Sequence, residues 1–437
     1  METPVRYRRP KRIWWLGLPV AGFSAGLLLA LSLHLVQSRT HLAYTLQETV
    51  CKVPAILGDI TPESVPLRAD CHRGALWEPM RSSWAATHPA LTEGLAFLKT
   101  ATHHDRLRYP VTTPPPFHQT EAAQRSPSLT QIVDDVVAQL EAQGWPTASV
   151  SISLVDLTGD CCTYAGYQDQ APRYPASIVK LFWLVALYGH YDADKLQPEV
   201  DVYPDDEDLM VHYSNNGASS RVVDALTQTE SGEALEGSEL ADWISARQTL
   251  NDYFLLANYP DLNIAHKTFP VPDLGMASRV GRDAQFADGA TAASATKSLT
   301  RNYLTTAAAA RLLYEIDTGQ AISPAWSDRI KQHLRHSTDP AAWQWEDPNA
   351  IAGFFGEYLP PDVQLYTKLG FTFDDGRQEA AIIASPEGQT RFILVMFAND
   401  SVYSQAETTF PEVARQVYDQ MLQRTQTQSP AGRPGHQ

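Results

Sequence analysis

Ser177 and Lys180 stand three residues apart at the head of the apolar run "SIVKLFWLVAL". If a helix begins near Ser177, residues at i and i+3 share a face, which puts the amine beside the hydroxyl. The hydroxyl then sits at the positive end of the helix dipole, where developing negative charge is favoured. A lysine among apolar neighbours is costly to keep charged, so its pKa falls. A neutral amine next to a hydroxyl can take its proton and make the serine a nucleophile. The plain structural alternative is a capping serine followed by a lysine whose head snorkels to water. The pair alone does not choose between them. Ser294 and Lys297 repeat the spacing in "ASATKSLT", among small polar residues that read as a loop.

Two further stretches add to the pair. "YSNNGASSRVVDAL" places Ser214 and Asn216 just before a helical pattern, and "LYTKLGFTF" places Lys368 and Gly370 at the end of a strand-like run. Ser-x-x-Lys, Ser-x-Asn and Lys-x-Gly in this order form one known catalytic set. Together they are far more specific than any one of them. On these motifs residues 127–422 resemble the class A β-lactamase and penicillin-binding protein superfamily. "RYPASIVKLFWLVAL" resembles its nucleophile helix, and "TTAAAARLLYEIDTGQAISPAWSDRIKQHL" its late helical pair.

The resemblance implies roles residue by residue. Ser177 would be the acylated nucleophile and Lys180 its base or proton relay. Ser214 would pass a proton to the leaving group, and Asn216 would hold the substrate amide and Lys180. Lys368 would place positive charge near Ser214 and a substrate carboxylate. The backbone N–H groups of Ser177 and Phe371 would form an oxyanion hole, with Gly370 keeping the strand edge open. No cofactor is implied.

The departures from the family pattern are informative. Asn215 replaces the usual aspartate of the second motif, and Leu369 the usual threonine or serine of the third. The second change removes a hydroxyl that helps to bind a carboxylate. Thr372 shares a strand face with Lys368 and Gly370 and is the candidate to replace it. Class A β-lactamases use a loop glutamate to activate the deacylating water, yet no glutamate lies between Glu239 and Glu315. Asp283 and Asp288 are the candidate substitutes. Ser177 and Ser214 lie 37 residues apart, and Ser214 and Lys368 lie 154 apart, a shorter and a longer interval than the family pattern. The segment from Gln228 to Ser298 therefore rebuilds the site's surroundings.

The elements that must position these residues are legible in outline. "LTQIVDDVVAQLEAQG" is a helix by its apolar spacing, ending at Gly144. "ASVSISLVDLTGDCCTYAGY" reads as two strands joined at "LTGD". Mostly helical sequence runs to about residue 340. "QLYTKLGFTFDDGRQEAAIIAS" and "TRFILVMFAN" then read as three strands, and "FPEVARQVYDQMLQR" as a last helix. Strands at both ends with helices between them predict an α+β fold, in which terminal strands share one antiparallel sheet beside a mostly helical subdomain.

The rest of the chain places this block, residues 127–424. Five arginines and lysines fall in the basic segment 1–12, followed by residues 13–36 with no charged side chain. That length and basic flank predict one transmembrane anchor with its N-terminus in the cytoplasm and the remaining chain periplasmic or otherwise outside. The rival is a cleaved signal peptide. Residues 37–108 form a membrane-proximal region of unassigned fold. Residues 109–126, with Pro114, Pro115 and Pro116, read as a linker, and residues 425–437 as a disordered tail. Cys51, Cys71, Cys161 and Cys162 allow three disulfide pairings, or a reduced pair at 161–162. The thirteen histidines form no metal-binding motif, so no metal site is expected. A formal net charge of −16 argues against nucleic acid as a partner. Three functions stay open: a β-lactamase-like serine hydrolase acting on a β-lactam or a cell-wall peptide or ester, a slowly deacylating penicillin-binding protein, and a non-catalytic envelope module that binds a peptidoglycan peptide.

Overall fold

The computed structural model describes residues 109–111, 126–159, 162–259, 261–288, 300–346 and 348–428. These all belong to the second of two units, Thr100–Gln437. The proposed anchor at 13–36, Cys51, Cys71, Cys161 and the second Ser-x-x-Lys pair, Ser294 and Lys297, lie outside the described residues. Among the described residues no helix is long and apolar enough to cross a membrane.

The chain enters through helix α1 (Pro127–Ala142) and the hairpin β1 (Val150–Asp156) and β2 (Thr163–Tyr167). Helices α2 (Val179–Asp192), α3 (Asp206–Val211), α4 (Asn216–Thr227), α5 (Gly237–Leu255), α6 (Gly281–Ala287), α7 (Thr306–Asp317) and α8 (Pro324–Leu334) follow. Next come β3 (Arg335–His336), a short α9 (Pro340–Trp343), the strands β4 (Gln364–Thr372), β5 (Gly376–Ala384) and β6 (Arg391–Ala398), and the closing helix α10 (Thr409–Gln428). The sheet order is β2-β1-β6-β5-β4-β3, antiparallel throughout. The first and last long strands thus pair directly, Val150 with Ala398 through Asp156 with Phe392, as the α+β reading requires.

Both faces of the sheet are covered, which is why β6 is apolar from Phe392 to Ala398 and β5 from Ala380 to Ala384. Phe392, Leu394 and Met396 point to the core beneath α1 and α10, while Ile393, Val395 and Phe397 point to the helical side. Helix α2 runs through that second core with nearly every side chain buried, Lys180 among them. On the first side Leu129, Ile132, Val136 and Leu140 of α1 meet Val413, Val417 and Met421 of α10 in one cluster.

Three expectations need correction. Residues 109–126 do not begin as a free linker. Tyr109 is fully buried, and its hydroxyl donates to Glu315 Oε2 at 2.7 Å. The last helix runs to Gln428, past the expected start of the tail at residue 425. Cys162 is disulfide-bonded, so the alternative of a reduced pair fails for it. The short β3 was not legible, because two residues carry no period.

Candidate active site

Ser177 lies in a short 3₁₀ turn, Ala176–Ile178, that leads into α2. Its side chain does not cap the helix, and Ala176 before it has φ +44°. A non-glycine residue there costs of the order of 1 kcal/mol or more and persists only where its surroundings impose it. The half-buried Ser177 hydroxyl is therefore presented by a strained turn and not tied up as a cap.

Lys180, one turn on, does not snorkel. It is completely buried. Its Nζ donates to the Ser214 carbonyl at 2.5 Å and to Asn216 Oδ1 at 2.7 Å, with Ser214 Oγ at 3.5 Å. Burial first, and the nearby Lys368 second, push its pKa well below the usual lysine value. A lowered pKa favours the neutral amine, the form that can accept a proton.

Ser214 comes from the turn between α3 and α4, and Asn216 is the first residue of α4. Ser214 has φ +55°, a second strained residue at the site. Asn215 caps α4, its Oδ1 accepting from the Ala218 N–H at 2.8 Å. Aspartate and asparagine cap about equally well, which explains why the departure at 215 leaves the turn intact. Asn216 bridges two elements: it accepts from Lys180 and donates through Nδ2 to the Pro270 carbonyl at 2.8 Å.

Lys368 reaches the same point from β4. Its Nζ donates to Ser214 Oγ at 2.9 Å and to the Leu369 carbonyl at 2.9 Å. Burial lowers its pKa to about 7, against the opposing pull of Glu379. Two amines from different elements thus converge on one serine.

The register of β4 settles the third motif. Lys368 pairs with Ala380, which faces the helical core, and Leu369 and Phe371 pack on the core of the opposite face. At 369 a hydroxyl would point away from the Lys368 face of the strand. Thr372 is on the Lys368 face, but its hydroxyl lies 3.2 Å from Asp375 Oδ2 and accepts from the Asp375 N–H at 2.8 Å. It is engaged in the turn, so it is not a ready replacement for the missing hydroxyl. β3 pairs only with Leu365 and Tyr366, leaving the outer edge of β4 open beyond them. There Gly370 meets the Ser177 turn: a Cβ at 370 would stand 2.8 Å from the Pro175 carbonyl oxygen and 3.1 Å from Ser177 N.

The candidate water activators are elsewhere. Asp283 is buried and lies 3.7 Å from Arg247, in an ion cluster with Asp224 and Lys267. Asp288 is exposed at the end of α6. Neither hydrogen-bonds any of the five motif residues. Among the described residues no group of three or more His, Cys, Asp or Glu side chains is placed to hold a metal ion.

Sequence reasoning missed the surroundings. His336, opposite Leu365 in the β3–β4 pairing, stacks on His212, ring centroids 4.0 Å apart, and burial followed by the charges of His212 and Lys368 lowers its pKa to about 3. The Pro270 carbonyl and Tyr174 also border the site. A lone proline or histidine leaves no signal of this kind in a sequence.

The arrangement puts two amines within hydrogen-bond reach of the Ser214 hydroxyl, so a proton can pass between them. Residues 129–421 match the model of the β-lactamase enzyme family, well over half of the chain, and the chain belongs to that family. Among solved structures, a β-lactamase from Sphaerobacter thermophilus is 15% identical, with 67% of this chain and 97% of that chain covered and a TM-score of 0.45. A PBP-A mutant in an acyl-enzyme complex with penicillin G is 16% identical, with 68% and 97% covered and a TM-score of 0.45. A class A representative from Bacteroides cellulosilyticus is 13% identical, with 68% and 99% covered and a TM-score of 0.45. No curated protein matches the chain.

Proposed function

We propose that the protein is a membrane-anchored serine hydrolase that acylates Ser177, with a β-lactam or a cell-wall peptide or ester as substrate. The observation that carries this is the convergence of Lys180 and Lys368 on Ser214 beside Asn216. A neutral Lys180 takes the Ser177 proton as Oγ attacks the acyl carbonyl. The N–H groups of Ser177 and Phe371 face the oxyanion, an interaction worth several kcal/mol in acyl transfer. Ser214, supplied through Lys368, gives a proton to the departing amine. Lys368 also attracts a substrate carboxylate.

The position of Asp283, turned toward Arg247, favours slow deacylation. The penicillin-binding reading therefore stands beside the hydrolytic one. Anchoring by residues 13–36 rests on their length and basic flank. It predicts that the chain stays with membranes after a carbonate wash, and release by that wash would overturn it.

The test is intact-mass spectrometry of the full chain with a penicillin over time, beside Ser177→Ala. A lasting adduct on the wild type alone means a slowly deacylating penicillin-binding protein. An adduct that decays as hydrolysed drug accumulates means a β-lactamase. No adduct with penicillin or with simple activated esters overturns the acylation reading and promotes a binding module.

A further inference from the structure

One guanidinium group, Arg301, stacks on Tyr174 and a second, Arg279, acts on it electrostatically, and the five motif residues hydrogen-bond neither. Tyr174 lies three residues before Ser177. Arg301 stacks on its ring, 3.7 Å from the centroid, and donates through Nη2 to Asp375 Oδ2 at 2.8 Å. Asp375 is the residue whose N–H binds Thr372, two positions beyond Gly370. Arg279 belongs to the loop on the other border of the site. Its guanidinium carbon is 6.0 Å from the ring of Phe269, the neighbour of Pro270, whose carbonyl holds Asn216. Burial raises the pKa of the Tyr174 hydroxyl while both arginines pull it down, and burial together with repulsion from Arg301 lowers the pKa of Arg279.

Their charge is not balanced. Arg301 has Asp375, but Arg279 forms no ion pair among the described residues, and its Nε is buried without a hydrogen-bond partner. The one carboxylate acting on Arg279 is Asp283, which is shared with Arg247 in the buried ion cluster. Half-buried and beside another cation, Arg279 is a donor without an acceptor. A carboxylate reaching the accessible part of the half-buried Arg279 side chain would offset the repulsion from Arg301, and guanidinium matches carboxylate geometry better than any other side chain. The location assigns the end of the substrate. Ser214 and Lys368 mark the leaving-group side. Thr372 lies four residues further along β4, about 13 Å at ~3.3 Å per residue.

We propose that Arg279 and Arg301 form a subsite for a carboxylate carried on the acyl side of the substrate, so that acyl groups bearing a carboxylate react faster than neutral ones. The proposal rests on acylation of Ser177. Lys368 then serves a leaving-side carboxylate, and the arginine pair a second anionic point.

The experiment uses the full chain and two aryl thioesters with one leaving group. One acyl chain ends in a carboxylate, the other in its primary amide. The readout is the ratio of their acylation rates, which cancels any general loss in a variant. A charge-assisted hydrogen bond supports a ratio of about tenfold or more in the wild type. Arg279→Gln and Arg301→Gln should bring the ratio toward one, and Arg279→Lys should keep part of it. A wild-type ratio near one, or a ratio that both glutamine variants leave unchanged, overturns the subsite. Silence toward both thioesters overturns the acylation reading instead. Calorimetry of the free dicarboxylic acid on Ser177→Ala and on Ser177→Ala with Arg279→Gln then decides the subsite: binding lost in the second supports it, equal or no binding refutes it.

Discussion

Gly370→Ala tests how closely the third motif is fitted to the Ser177 turn. The added Cβ would stand 2.8 Å from the Pro175 carbonyl oxygen, 3.1 Å from Ala176 Cβ and 3.1 Å from Ser177 N, where ordinary contact begins at 3.4 Å. The gap must therefore open by about 0.6 Å. β4 is held to β5 from Gln364 to Thr372, so the strand cannot yield alone. The opposing atoms belong largely to the backbone of a turn already at φ +44°. Overpacking of this kind costs about 1–3 kcal/mol. A misplacement of ~1 Å can cost ~100-fold in rate, so a shift of about half that size should slow acylation about tenfold. We predict a folded protein with Tm lower by a few degrees and covalent labelling by penicillin slowed about 10- to 100-fold, measured by intact mass and by differential scanning fluorimetry. Labelling at the wild-type rate with an unchanged Tm would refute the packing argument and the proposed oxyanion hole of Ser177 and Phe371.

Three other predictions follow from single contacts. Asn216→Ala removes an acceptor from Lys180 and the donor to Pro270, and should slow labelling by about 100-fold or more while costing about 1–3 kcal/mol in urea denaturation; a rate within twofold of wild type would contradict it. Burial raises the pKa of Glu379, held by Thr367 and the Phe355 N–H, to about 8 from 4.5, so its contribution to stability is complete below pH 4.5 and is lost as pH rises toward 8. Lys368, lowered to about 7, acts with the opposite slope only above pH 7, so Glu379→Gln should flatten the fall in stability between pH 4.5 and 7, and an unchanged profile would count against it. A chain beginning at residue 127 loses Tyr109, whose burial and bond to Glu315 contribute about 4–6 kcal/mol by area, and should unfold well below one beginning at residue 100; equal melting points would show that Tyr109 is idle.

Some of this protein was determined by local sequence. The periods of α1, β1, β6 and α10 follow from which side chains must be apolar on one face or two, and a strand or helix obeys that period wherever it is placed. The pairing of β1 with β6 followed from strands lying at both ends of one block. Ser177, Lys180, Ser214, Asn216 and Lys368 were singled out because their spacing within each motif is fixed by a turn of helix or the pitch of a strand.

Tertiary structure decided what spacing does not encode. Only packing shows that Lys180 is buried and held by the second motif, because desolvation depends on atoms from α4 and β4 that are remote in sequence. Only strand register shows that Leu369 faces away from Lys368 and that Thr372 is already bonded in its turn. The seat of Asp283 in an ion cluster, the burial of Tyr109 and the guanidinium pair at Tyr174 are likewise long-range. Charge and contact depend on distance in space, and a sequence reports distance only along the chain.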